Sequence, residues 1–318
     1  MVNYDSVHWI TIKQVTMSNP NGDTITGAPR LMDCTSETTG TGIESPTSAK
    51  RKVRDSLALL YPDDKIFEIG RDPMSEQVAP IIASLPPDHG YREVDAYMLA
   101  TYLDARLFGY LLTDIGERKA RPKGKGKKAE EAPPVEDESG DDGDESGKKG
   151  AGKKKQTNEK GPIQCEYSFS LEPVTILTIG GSRARSVRSG VGEDGEARTE
   201  GGFGQASRII QRGIYVQQWT YNAMRGNKLL HEHDLEKFED ALAQYPQLTV
   251  SASRPGIGMM DVIKVVHKRD PRNLPIFQAT PHEVTAGLNY QDGVLSYRPV
   301  RDGLTVTSVR NVVTIETR

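Results

Sequence analysis

Residues 117–160 set the strongest limit on how this chain folds. They carry 13 Lys or Arg against 11 Asp or Glu, ordered as a basic, an acidic and a second basic block, with almost no apolar side chains. Such a segment buries too little apolar surface to offset the entropy of ordering it. It is therefore expected to be a disordered charged insertion. The core must then be assembled from residues 1–116 and 161–270, with 271–318 as a β-rich C-terminal appendix. Ser146-Gly147-Lys148-Lys149 inside the insertion is not a phosphate-binding loop, because its glycine spacing is wrong and no strand precedes it.

A chain of 318 residues is long enough for one elaborated domain or two. Its formal charge of -3 excludes a uniformly basic surface, so any nucleic-acid contact must come from local patches. Cys34 and Cys165 provide neither a disulfide framework nor a zinc quartet, as expected of a reducing cytosol. No signal peptide is recognised, and no apolar run approaches the ~20 residues of a membrane span. These features predict a cytoplasmic protein with no membrane contact.

Residues 7–16 are rich in β-branched and aromatic types and read as a strand. Asn19-Pro20-Asn21-Gly22-Asp23 is a turn, since Asn tolerates left-handed dihedrals, Gly has no Cβ and Pro fixes φ. Ser45 caps a predicted helix with Pro46 in its first position. Ala49, Val53, Leu57 and Leu60 form its inward stripe, which places Lys50, Arg51 and Arg54 on one exposed flank and Lys52 and Asp55 on the other. Residues 71–92 hold four prolines and read as loop with a short helix; 94–112 read as a second helix. Ile163, Cys165, Tyr167, Phe169 and Leu171 alternate with polar residues as one half-buried strand.

Residues 180–204 contain eight glycines and read as a long excursion before a returning strand at 208–222. Asp234 caps a further helix with Leu235, Phe238 and Leu242 on one face. Strands are predicted at 259–267, 294–297 and 304–317. With insertions removed, the order strand, helix, strand, strand, helix, strand is that of the ferredoxin-like α+β fold shared by RNA-recognition domains.

Candidate chemistry is sparse. His231-Glu232-His233 lacks the spacing of a zinc helix, neither cysteine has a histidine neighbour, and no Gly-x-Ser-x-Gly elbow occurs. Asp23 and Asp33 are the acids of the turn region; in such a loop an Asp more often caps a turn than catalyses. The basic helix Lys50, Arg51, Arg54 and the arginines Arg183, Arg185 and Arg188 on the glycine-rich arm together favour contact with a phosphate backbone.

Several motifs, in order, resemble the CRISPR Cascade backbone subunit, the seventh Cas family of the RAMP superfamily, and most of all its type I-C branch. They are the 19–23 turn, Pro29-Arg30 and Asp33, Lys50-Arg51-Lys52-Val53-Arg54, Tyr102-Leu103-Asp104-Ala105-Arg106-Leu107-Phe108-Gly109, Gly161-Pro162-Ile163-Gln164, and Arg212-Gly213-Ile214-Tyr215. The resemblance spans roughly residues 5–270. It implies an RNA-recognition-like palm, helical fingers and a protruding glycine-rich thumb at 180–207. It further implies a helical filament of copies along the CRISPR RNA (crRNA), joined by other Cascade subunits, with the guide left open to pair with target DNA. Carried onto this chain, Asn21, Arg30, Lys50, Arg51 and Arg54 would grip the guide, with Arg183, Arg185 and Arg188 on the thumb. No catalytic residue, metal or cofactor is implied. A protein that accepts any spacer should bind phosphate and ribose and leave base edges free. The sequence departs from the family in its charged insertion and in a thumb unusually rich in Gly and Arg. Two other readings are a type III-like subunit cleaving RNA through Asp33 or Asp23, and a self-assembling protein without nucleic acid.

Overall fold

The structure is a computed structural model. It describes residues 5–23, 26–69, 74–86, 89–112, 157–182, 188–191, 197–200, 203–267, 288–291, 294–297 and 304–308, and positions 272, 280 and 286. The predicted first strand is β1 (Val7–Ser18), followed by β2 (Arg30–Ser36), β3 (Thr39–Glu44) and helix α1 (Pro46–Leu60). Then come α2 (Met74–Ala83), α3 (Tyr91–Thr101), α4 (Leu103–Phe108), β4 (Gly109–Leu112) and β5 (Thr157–Lys160). Next are β6 (Ile163–Cys165), β7 (Ser168–Ser170), β8 (Val174–Ser182), β9 (Arg188–Val191), β10 (Ala197–Glu200) and β11 (Phe203–Tyr221). Helices α5 (Ala223–Leu229) and α6 (Asp234–Leu248) precede β12 (Ile257–His267), β13 (Leu288–Gln291), β14 (Val294–Tyr297) and β15 (Leu304–Ser308).

β1 lies between β11 and β12, antiparallel to both, in a sheet ordered β15-β12-β1-β11-β7-β3-β2, with β6 and β8 also paired to β11. This is a mixed α/β protein with a sheet-rich core. Helices α1 and α6 pack on one sheet face. The period-2 strand pattern sends Val7 and Trp9 to that face, opposite Tyr221 and Trp219, where they meet Val53, Leu57, Phe238 and Leu242. Phe238 sits edge-on to Trp9 and Trp219, with ring centroids 5.0 and 5.6 Å apart. Ser45 caps α1 by accepting the Ser48 N–H at 3.3 Å, and Pro46 occupies its first turn. A second, smaller core joins α2 and α3 to β4 through Val78, Ile81, Val94, Met98, Tyr110 and Leu112.

The structure differs from expectation at four places. The helix predicted over 94–112 is broken at Tyr102 (φ -109°, ψ 120°) and again at Gly109 (φ 78°), after which the chain runs as β4. The insertion expected to end at 160 ends earlier, because residues 157–160 form β5, antiparallel to β4 from Gly109↔Lys160 to Leu112↔Thr157. Residues 117–156 lie outside the described residues. The alternating strand at 163–171 is two pieces, and its faces exchange at the break. Ile163 is buried, but further along Ser168 and Ser170 are buried while Tyr167, Phe169 and Leu171 are exposed. Small polar residues are required there because Ser168 faces Glu44 in register and Ser170 accepts the Gly42 N–H. Finally, β15 pairs with β12, so this part of 271–318 extends the main sheet.

Gly109 and Gly161 explain each other. A Cβ on Gly161 would stand 2.1 Å from the Phe108 carbonyl carbon, and one on Gly109 would stand 2.1 Å from the Glu159 carbonyl oxygen. Both obstacles are backbone and cannot swing away. The two glycines clamp the root of the β4–β5 hairpin from which the charged segment departs. Gly161→Ala should therefore destabilise the protein by about 1–3 kcal/mol, as overpacking does, read as a lower thermal midpoint. An unchanged midpoint would contradict this close approach.

Candidate nucleic-acid interface

The turn after β1 is closed by its own hydrogen bonds. Asn19 donates Nδ2 to the Gly27 carbonyl at 2.8 Å and accepts the Asn21 N–H at 3.1 Å. The Asp23 N–H reaches the Ala28 carbonyl at 2.7 Å, and Gly27 turns with φ 68°. Gly22 and Pro29 form an antiparallel bridge, which sets Asn21 beside Arg30 across two short runs of chain. Both present unused donors: Asn21 Nδ2 and Arg30 Nε are shielded from solvent and have no hydrogen-bond partner. Buried donors are normally paired, so two of them side by side mark a place prepared for an acceptor.

The basic helix is not the exposed flank the periodicity suggested. Arg54 is 8% exposed, paired with Asp104 at 3.0 Å and Glu68 at 2.7 Å, and lies over the Phe108 ring. Lys52 is 6% exposed and bonds to Glu44 and the Pro20 carbonyl. Lys50 lies 5.7 Å from the Phe108 ring centroid, and burial moves its ammonium below the usual lysine range. Arg51 keeps 41% exposure and bonds to Asp55 at 2.9 Å and to the Ile69 carbonyl. Helical spacing set Arg51 and Asp55 on opposite flanks, whereas their ion pair joins them on one. It also missed that Asp104 and Phe108 of α4 with Glu68 of the loop after α1 cover one flank, while Glu44 and the Pro20 carbonyl engage Lys52 on the other. Arg54 is thus a structural ion-pair partner, and its assignment to an exposed gripping surface is corrected.

Three buried carboxylates anchor four ion pairs that tie these elements together. Glu44 accepts from Lys13 of β1 and Lys52 of α1. Burial by itself would raise the Glu44 carboxyl, but the two ammonium groups outweigh it and hold it below its usual range. Asp104 accepts from Arg54 and from the Phe67 and Glu68 N–H groups at 2.7 and 3.1 Å. Arg106 forks onto Asp234 at 2.7 and 3.1 Å. Two residues apart in one short helix, Asp104 and Arg106 tie α1 and α6 to the same segment. Asp234 is the first residue of α6; the cap position is His233, with φ 67°.

Arg183 and Arg185 lie outside the described residues. Arg188 opens β9, whose pairing with β10 sets it opposite Glu200, and β8 and β11 stay paired out to Ser182↔Phe203. Of the loop acids, Asp23 accepts the Thr26 N–H at 3.0 Å as a turn cap, whereas Asp33 is exposed on β2 with φ 47°. His233 bonds to Glu236 at 2.7 Å, and among the described residues no group of three His, Cys, Asp or Glu could hold a metal. Burial pushes the Cys165 thiol up to about 12, which leaves it a poor nucleophile. No described helix is long and apolar enough to cross a membrane.

Fold and site together define a sheet-based α/β protein with a cationic, donor-rich turn beside its first helix. The sequence profile of CRISPR-associated protein Cas7 matches residues 5–289, and the chain belongs to that family. No curated protein matches it. Among solved structures, a chain of a CRISPR RNA-guided surveillance complex, pre-nicking, is 13% identical over 89% of this chain and 84% of its own, with a TM-score of 0.41. A chain of another CRISPR RNA-guided surveillance complex is 12% identical over 87% and 78%, with a TM-score of 0.38.

Proposed function

We propose that this protein is a non-catalytic guide-RNA-binding backbone subunit of a type I CRISPR surveillance complex, of the I-C branch, acting in the cytoplasm. Copies line up along the crRNA with other Cascade subunits and hold the spacer open for target DNA. The β12-β1-β11 sheet with α1 and α6 is its RNA-recognition-like palm, the α2–α3 lobe its fingers, and the arm at 180–207 its thumb. The observation that carries the reading is the pair of buried, unpartnered donors Asn21 Nδ2 and Arg30 Nε, in a member of the Cas7 family. Phosphate oxygens supply acceptors without regard to base sequence. Arg51 and Lys50 extend the contact along α1, and Arg183, Arg185 and Arg188 approach the guide or the next copy from the thumb. The exposed Tyr167, Phe169 and Leu171 in and beside β7 fit a subunit that works in an assembly.

Arg30→Ala and Arg51→Ala should each weaken binding of unrelated single-stranded RNAs alike. Each should also reduce the slope of log affinity against log salt by about 0.7–1. Fluorescence anisotropy across a salt series reads both quantities. Unchanged affinity and slope in the double variant would remove the turn and helix from the interface.

A further inference from the structure

A pocket under the turn is lined by Lys13, Glu44, Lys52, Tyr245 and Arg254 together with apolar Val15, Pro246 and Ile257. Its side chains comprise three basic groups against one carboxylate, and burial pulls the Lys52 ammonium below the usual lysine range. Both carboxylate oxygens are taken, Oε2 by Lys13 and Oε1 by Lys52. The remaining acceptor contact is the Pro20 carbonyl, used by Lys52. The Tyr245 hydroxyl is fully enclosed and finds no acceptor for its proton. Lys13 and Lys52 place two ammonium groups on the single Glu44 carboxylate, so the buried charge is not balanced. An excess cation in a low-dielectric site is costly unless compensated.

We propose that this pocket binds one small inorganic anion of halide size, held by Lys52, Lys13 and the Tyr245 hydroxyl, with half-buried Arg254 in the lining. The space, which admits little more than one water-sized body, suits a monoatomic anion better than a planar carboxylate or a bulky ester. The anion completes the charge balance beneath Pro20 and thereby fixes the turn that presents Asn21. This proposal does not depend on the RNA reading, because it rests on the charge and hydrogen bonding inside the pocket itself.

The test compares thermal unfolding of the full-length, RNA-free protein in sodium chloride and in sodium gluconate at equal ionic strength. Chloride should raise the midpoint along a saturating curve, while gluconate, too large to enter, should not. Tyr245→Phe keeps the ring and removes one donor, so it should move the chloride half-saturation point several-fold higher while leaving the gluconate midpoint little changed. A bromide-soaked crystal should show an anomalous peak between Lys52 Nζ and Tyr245 Oη. Equal midpoints in the two salts, a non-saturating shift shared by Tyr245→Phe, or no bromide peak at that position would each overturn the proposal.

Discussion

Glu44→Gln is expected to cost about 3–5 kcal/mol, the range for breaking a buried ion pair from one side. Glu44 is 1% exposed at its side chain and is the counter-ion of Lys13 and Lys52, themselves 1% and 6% exposed. An amide of the same shape leaves two enclosed ammonium groups without a carboxylate. At 2–4 °C per kcal/mol for a domain of this size, the thermal midpoint should fall on the order of 10 °C. The pH dependence supplies a second reading. The two lysines hold the folded carboxyl below its unfolded value of 4.5, so its contribution is complete above that pH and is lost as pH falls toward the depressed folded value. Glu44→Gln should therefore flatten the acid limb of stability in that window. Lys13→Met/Glu44→Met/Lys52→Met, which removes the charges together, should recover much of the loss. A single-variant midpoint within 2 °C of the parent would mean that Glu44 is not the centre of this network.

Asp104→Ala is the second large expected loss, also about 3–5 kcal/mol. The carboxylate accepts the Arg54 guanidinium and the backbone N–H groups of Phe67 and Glu68. Its removal leaves Arg54 with Glu68 as its one remaining ion-pair partner and strands two amides at the junction of α1, α4 and the loop after α1. Chemical denaturation should show a lower midpoint with an unchanged m-value. RNA affinity of the folded fraction should be retained, because Asp104 supports α1 from behind. Arg54→Ala should resemble Asp104→Ala in stability, and not Arg51→Ala in salt dependence. If Arg54→Ala left stability intact and flattened the salt slope, the reassignment of Arg54 to the interior would be wrong.

Much of this architecture was legible in local pattern. Ser45-Pro46 marked the start of α1 because capping is a local event, and the β-branched run at 7–16 marked β1 because its two-residue period is visible without partners. Asn21 and Arg30 were both readable as contact candidates, yet their adjacency depends on the Gly22–Pro29 bridge, which spacing alone does not reveal. The fates of Lys52, Arg54 and Asp104 were not legible. Their helical phase is visible in the sequence, but a flank is exposed only if nothing packs on it, and here the partners lie up to 50 residues away. The exchange of faces at Glu166-Tyr167 escaped for a related reason. Strict alternation predicts one continuous strand, whereas the enclosed Glu44 and the ring of Tyr215 beside Gly42 demand serines where the pattern would place Phe169 and Leu171. The final turn of the charged segment was assigned by composition, but Gly161 permits the close approach that makes residues 157–160 a strand.

A chain that grips the sugar-phosphate backbone of guide RNA within an assembly should carry that RNA through purification. The most direct measurement is to purify the protein from cells carrying its own CRISPR array and partner subunits, record the 260/280 nm absorbance ratio, and sequence the retained RNA. The expected result is a multi-subunit particle containing RNA of uniform guide length, with varied spacer sequences between repeat-derived ends. A nucleic-acid-free protein from the same co-expression, or RNA of random length and origin, would contradict it.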